Sequence, residues 1–146
     1  MVASPNPSSG LRLHHVGFVV ASLEASAPGM ARALLTEWTR EIFTDPLQRV
    51  KVTFLQGGYQ NGLLELVEPL GEDSPVRRFL GESGGGLHHL CYEVPSIPEH
   101  LARIRAGGGL IVSRPKPAVA FGGRPVAWAR TREKLLLEFL QAVSLE

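Results

Sequence analysis

The chain has 146 residues, 44% hydrophobic and 20% charged, values that suit one globular domain and exclude a disordered tail, a collagen or a coiled coil. Fifteen Lys and Arg face 14 Asp and Glu, a net charge of +1, which argues against nucleic acid or an anionic membrane as partner. Cys91 is the sole cysteine, so an intramolecular disulfide is impossible, a thiolate zinc site is disfavoured, and a reducing cytoplasm is expected.

The first ten residues (MVASPNPSSG) are rich in Pro, Ser and Gly and predict a flexible tail with no secretory signal. Residues 15–20 alternate and predict a strand. Met30, Leu34, Trp38 and Ile42 recur at i+4 spacing and predict an amphipathic helix over 30–43. Residues 50–55 and 63–67 read as strands around a Gly-rich turn at 57–62. A connector over 69–86 holds a short helix, with Asp73 or Ser74 as cap, Pro75 in the first turn, and Val76, Phe79 and Leu80 as its apolar face.

Residues 90–94 form the next predicted strand. Ser96-Ile97-Pro98-Glu99 has the form of a capping box. It opens a helix striped by Ile97, Leu101 and Ile104 that stops at the glycines of 107–109. Strands are predicted at 110–113, 125–130 and 135–141. The longest apolar-plus-glycine run covers 106–112, well below the roughly 20 residues a membrane helix needs.

A weak internal repeat organises these elements. LHHVGFVVASLEA at 13–25 resembles LHHLCYEVPSIPE at 87–99, an offset of 74. LLEL at 63–66 resembles LLEF at 136–139, an offset of 73, and VTFLQ at 52–56 resembles VAWAR at 126–130. The expected fold is α+β: two paired βαβββ modules, about 11–70 and about 87–142, joined by a linker at about 71–86. The modules should form a curved mixed sheet around a cavity.

The repeat also aligns chemistry. His15 and His89 fall on equivalent positions, as do Glu65 and Glu138, each glutamate inside an apolar strand where an unpaired carboxylate is costly. Strand alternation puts His15 and Gly17 on one face, and His89, Cys91 and Glu93 on the matching face. Glu65 and Glu138 can face the same cavity. Two imidazoles and two carboxylates suit one divalent transition metal with positions left open. The same parity turns His14 and His88 away from the cavity, as surface groups or groups behind the ligands. Cys91 is expected to fill space. Glu68 is assigned to the face opposite Glu65, and His100 to a polar helix face. Lys51 could hold a substrate anion only if it faced the cavity.

These residues resemble the vicinal oxygen chelate superfamily, which includes glyoxalase I, extradiol dioxygenases, bleomycin-resistance proteins and methylmalonyl-CoA epimerase. The start at 13–20, LELVEPLGEDSP at 64–75, FLGESGGGLHHL at 79–90 and LLLEFLQ at 135–141 are most similar to the epimerase branch. The resemblance covers roughly 11–141 and implies metal ligands at His15, Glu65, His89 and Glu138, with Glu138 also serving as base. It implies one divalent ion per chain (Zn, Co, Ni, Mn or Fe), a small-molecule substrate, and a homodimer. The implied function is a metal-dependent, epimerase-like isomerase or lyase that stabilises an enolate of a small carboxylated carbonyl or acyl-CoA compound. A glyoxalase I-like lyase and a non-catalytic antibiotic-binding protein are the alternatives. One departure stands out: some members carry a second acid before the Glu-Leu block, and residues 49–53 (RVKVT) have none.

Overall fold

The computed structural model describes residues 10–56 and 63–143. The tail expected over 1–10, apart from Gly10, and the turn expected at 57–62 lie outside the described residues. Each half of the chain makes a strand, a helix and three further strands. The first has β1 (Arg12–Val19), α1 (Leu23–Ala33), β2 (Phe43–Asp45), β3 (Val50–Gln56) and β4 (Leu63–Pro69). After α2 (Arg77–Ser83), the second has β5 (Gly86–Val94), α3 (Ile97–Ala106), β6 (Leu110–Pro117), β7 (Pro125–Arg130) and β8 (Leu136–Gln141).

The strands form one eight-stranded sheet in the order β2-β3-β4-β1-β5-β8-β7-β6. The order is a palindrome of the two halves about the central antiparallel β1–β5 pair, with β1–β4 and β5–β8 parallel. The sheet curls, because Val50 and Val52 near one edge and Val112 and Trp128 near the other line the same cavity. Asp45 of β2 closes the curl by accepting a hydrogen bond from Val119 N at 3.0 Å.

α1 and α3 cover the convex face, and both are anchored alike. Ser22 Oγ accepts from Ala25 N at 3.2 Å, and Ser96 Oγ accepts from Glu99 N at 3.3 Å. A second acceptor reaches each helix start from a strand: Glu68 Oε1 takes Leu23 N, and Gln141 Oε1 takes Ile97 N. Leu23 and Ile97 are each 1% exposed, and burying such a side chain contributes about 1.5–3 kcal/mol. Their neighbours Ala27, Ala31, Leu55 and Leu66 in one half, and Ala127, Ala129, Leu137 and Phe139 in the other, complete two cores.

The helix expected over 30–43 is instead α1, ten residues earlier in its finish. It ends in a Schellman turn: Thr36 N bonds Ala31 O at 3.0 Å and Leu35 N bonds Arg32 O at 3.2 Å. Leu35 takes the left-handed position at φ 53°, where glycine is usual. No glycine marks the stop, so the i+4 stripe runs on in the sequence. Met30, Trp38 and Ile42 do pack on the core, but the last two reach it from irregular chain. Three smaller differences follow. α2 starts after Val76, not at an Asp73 or Ser74 cap, and has no side-chain cap. β2 has no counterpart among the expected strands. β5 and β6 are longer than expected, because pairing with β1 and β7 extends them.

Candidate metal centre

β1 and β5 lie at the middle of the sheet, and each sends one imidazole into the concave face. His15 is 1% exposed and His89 5%. β4 and β8 flank them with Glu65 and Glu138, opposite Gly17 and Cys91 in the two parallel ladders. The four side chains converge. His15 Nε2 lies 3.2 Å from His89 Nε2, 3.5 Å from Glu65 Oε1 and 3.1 Å from Glu138 Oε1. His89 Nε2 lies 3.4 Å from Glu65 Oε1 and 3.5 Å from Glu138 Oε1.

These edges match a metal shell. Donors about 2.1 Å from a common centre stand about 3.0 Å apart at right angles and about 3.4 Å apart at tetrahedral corners. Glu138 Oε1 is buried 3.1 Å from His15 Nε2 but in no well-aligned hydrogen bond, a poorly satisfied state that a cation at the centre would relieve. The donor set, two nitrogens and two carboxylate oxygens, fits a borderline divalent ion.

Without a metal the cluster holds protons. Burial opposes a charge on His15, but the Glu65 charge, the Cys91 thiol and the two carboxylates beside it outweigh burial and raise its pKa. His89 is raised in the same way by Glu138 and Glu65 against its burial. Burial pushes Glu65 and Glu138 up, yet the adjoining imidazoles win and hold both below the usual carboxylate range. The result is two imidazoliums against two carboxylates.

The small residues of the repeat make room for these rings. A Cβ on Gly17 would meet His89 Cε1 at 2.0 Å. Cys91, its equivalent, is fully buried opposite His15 and its thiol is pushed up to about 12, mainly by burial and then by Glu138. It fills space, as expected.

His14 and His88 do not point away, contrary to simple strand parity. Each is the extra residue of a β-bulge in the β1–β5 pair: Leu13 and His15 oppose the adjacent Tyr92 and Cys91, and His89 and Leu87 oppose the adjacent Gly17 and Phe18. The bulge turns each onto the side of its neighbour. His14 Nδ1 lies 2.8 Å from His15 Nδ1, and His88 Nδ1 lies 2.9 Å from His89 Nδ1. Burial, and then the neighbouring histidine, lower the pKa of both, to about 4 for His88.

The centre opens onto a cavity of about 350 Å³ lined by Val50, Val52, Val67, Phe121, Trp128 and Leu136 among others. A 3-10 turn, Val119–Phe121, lies over it. Phe121 stacks on His15 at 5.6 Å and packs edge-on to His14 at 5.1 Å. Among the described residues, β3 sends no acid into the cavity. Val50 and Val52 face the cavity, and Phe54 lies 6.0 Å from the ring of His15. Lys51 and Thr53 face the other way, Lys51 towards Glu68 at 3.6 Å and Thr53 towards Trp38. Asp45 lines the cavity but is engaged by the N–H groups of Leu47, Gln48 and Val119. Sequence reasoning missed Asp45 and Phe121, because neither lies in a repeated segment. His100, expected on a polar helix face, packs its ring on Phe139.

Fold and cluster together define a paired-module architecture with a candidate metal site between the modules. The family model described as Glyoxalase/Bleomycin resistance protein/Dioxygenase superfamily matches residues 14–128, and the chain belongs to that superfamily. It is 33% identical over 123 residues to an ethylmalonyl-CoA/methylmalonyl-CoA epimerase of Cereibacter sphaeroides, covering 84% of this chain and 90% of the relative. Over 87 residues it is 39% identical to the mitochondrial methylmalonyl-CoA epimerase of Homo sapiens, covering 59% and 48%. Among solved structures, methylmalonyl-CoA epimerase from Mycobacterium tuberculosis superposes with a TM-score of 0.80 at 21% identity, covering 99% of this chain and 94% of that one. A hypothetical protein from Bacillus halodurans superposes with a TM-score of 0.78 at 29% identity, covering 92% and 96%.

Proposed function

We propose that this chain is a metal-dependent enzyme of the epimerase type, acting at the carbon alpha to the carbonyl of a small carboxylated acyl-CoA. The observation that carries the reading is the convergence of four buried side chains, His15, Glu65, His89 and Glu138, on one point. The similarity to epimerases over most of the chain supports the substrate class. The two halves, about 11–70 and about 87–142, act as one unit, since each supplies one His and one Glu.

A divalent ion held by these four side chains supplies a Lewis acid for the negative charge that develops on substrate oxygens. His15 and His89 serve it as neutral imidazoles through Nε2. Glu138 is the base: the carboxylate oxygen that does not face the cluster, Oε2, takes the alpha proton, and the C–H electron pair stays on the substrate as the enolate. Inversion also needs a proton delivered to the opposite face; the wall of Val50, Val52 and Phe121 has no carboxylate to give it, so a water molecule in the open part of the cavity is the donor.

A second reading draws on the same wall. It carries no disengaged carboxylate, so isomerisation or lyase-type cleavage served by Glu138 alone is the runner-up. We also propose a homodimer, supported by exposed Leu110 and Val112 on the edge strand β6, and a reducing, cytoplasmic setting, supported by the single buried thiol. The metal-loaded protein is incubated with methylmalonyl-CoA in deuterated water. Wild type should exchange the alpha proton and interconvert the epimers. Exchange without inversion favours the second reading. No exchange with any acyl-CoA, alongside stoichiometric binding of an apolar drug-like compound, replaces both with a binding protein.

A further inference from the structure

The two bulged histidines repeat one arrangement at both centres of the pseudo-symmetric pair. His14 meets His15, and His88 meets His89, through Nδ1 on both rings, at 2.8 and 2.9 Å. The ring planes cross at 79° and 88°. Neighbouring residues of a regular strand point to opposite faces and cannot touch in this way. The contact exists only because each bulge adds its residue at the position before the ligand. A bulge placed twice at equivalent sites next to buried polar groups is a built feature rather than an irregularity.

We infer that His14 and His88 are positioning residues that fix the tautomers and ring orientations of His15 and His89 for metal binding. The hydrogen-bond arithmetic forces the direction. A histidine that ligates through Nε2 carries its one proton on Nδ1. That proton needs an acceptor, and the atom facing it is Nδ1 of His14 or His88. Each partner ring must therefore keep its own proton on Nε2. The reverse assignment puts the proton of His15 or His89 on Nε2, where it points into the cluster and blocks ligation. The usual partner for the outer nitrogen of a ligating histidine is a carboxylate or a backbone carbonyl. Here a second imidazole takes that place, and the perpendicular rings let its lone pair lie along the donor N–H.

This inference rests on the metal reading above, and the test separates the two. Wild type, His14→Leu, His14→Asn, His88→Leu and His88→Asn are titrated with Co(II) against a chelator. Asn presents Oδ1 at the side-chain position where His presents Nδ1, so it keeps the acceptor; Leu removes it. The Leu variants should bind Co(II) roughly 10–100-fold more weakly and change the visible Co(II) spectrum, and the Asn variants should recover most of that loss. Equal weakening by Leu and Asn assigns the histidines to packing and overturns the inference. So does unchanged affinity in the Leu variants. A wild type that takes up no Co(II) overturns the metal reading as well. A second measurement needs no variant: long-range ¹H–¹⁵N NMR of the Zn(II)-loaded wild type. It should show protons on Nε2 of His14 and His88 and on Nδ1 of His15 and His89. A proton on Nδ1 of His14 or His88 overturns the inference even if every variant fails to fold.

Discussion

Gly17 and His89 are direct partners in the antiparallel β1–β5 pair, and the imidazole of His89 fills the space that a side chain at 17 would occupy. A Cβ there would sit 2.0 Å from Cε1, 2.3 Å from Nδ1 and 2.4 Å from Nε2. The ring lies between β1 and the cluster and cannot retreat without leaving it. Gly17→Ala should therefore fold but displace His89, lowering metal affinity by at least about tenfold, the scale seen when groups that orient a ligand are lost. Metal content after dialysis checks this. Full occupancy in Gly17→Ala would show that the ring has another seat.

The repeated segments make the four-residue centre legible in the sequence. His15, Glu65, His89 and Glu138 can be singled out because each stands in a segment that occurs twice. Parity fails at His14 and His88 for a specific reason: a bulge inserts one residue and resets the alternation, and no residue type marks it. The helix over 30–43 fails at Leu35, a left-handed stop with no glycine. The cap at Ser22 is visible by analogy with Ser96, since the two are 74 apart, and it marks the true start of α1. Asp45 and Phe121 are hidden because their roles depend on the curl that brings the two sheet edges together.

Glu138 should be the most sensitive position for chemistry. Glu138→Gln preserves shape and one ligand oxygen but cannot take a proton. Alpha-proton exchange should fall by roughly 10²–10⁴-fold, the usual worth of a positioned base, with metal still detectable by elemental analysis. Exchange at the wild-type rate would remove Glu138 from that role.

The pH dependence of stability should change sign with metal. In the metal-free protein Glu65 and Glu138 are depressed, so their contribution is present above their ordinary value of 4.5 and is lost as pH falls through the folded values. His14 and His88 are also depressed, so the unfolded chain takes up protons first and stability declines below 6.5. His15 and His89 are raised, so their contribution is present below 6.5 and is lost as pH climbs towards the folded values. Metal-free stability should thus peak near pH 6.5. Metal needs neutral imidazoles and displaces their protons, so its stabilisation should grow from pH 6.5 upward. Calorimetric melting of both forms across this range checks the prediction. A metal-free protein that gains stability steadily above the peak contradicts it.

Cys91 should be chemically silent in the native protein. It is fully buried, and its thiol is pushed up to about 12, so almost none is the reactive thiolate at pH 8. Iodoacetamide should label it only under denaturing conditions. Rapid native labelling would mean that the β1–β5 seam opens.

Asp45 should hold the covering turn in place. It is 4% exposed, and its two oxygens take three backbone N–H groups: Leu47 at 3.1 Å, Gln48 at 3.0 Å and Val119 at 3.0 Å. The first two shape the turn after β2. The third ties the opposite edge of the sheet to it, at the start of the segment that carries Phe121 onto His15. Asp45→Asn retains Oδ1 for the local turn and presents an amide N–H₂ to Val119 N–H, two donors facing one another. Asp45→Ala frees all three N–H groups. Leaving a buried donor without a partner costs about 1–3 kcal/mol, so both variants should lose stability in that range, Ala more than Asn. The loss should be local first: cleavage by a protease of low specificity should concentrate around the 3-10 turn, and hydrogen exchange at Val119 N should rise in Asp45→Asn while amides of β1 and β5 keep their protection. Uniform loss of protection across the sheet would instead make Asp45 a general core residue. Unchanged exchange at Val119 would show that Phe121 is held by its ring contacts alone.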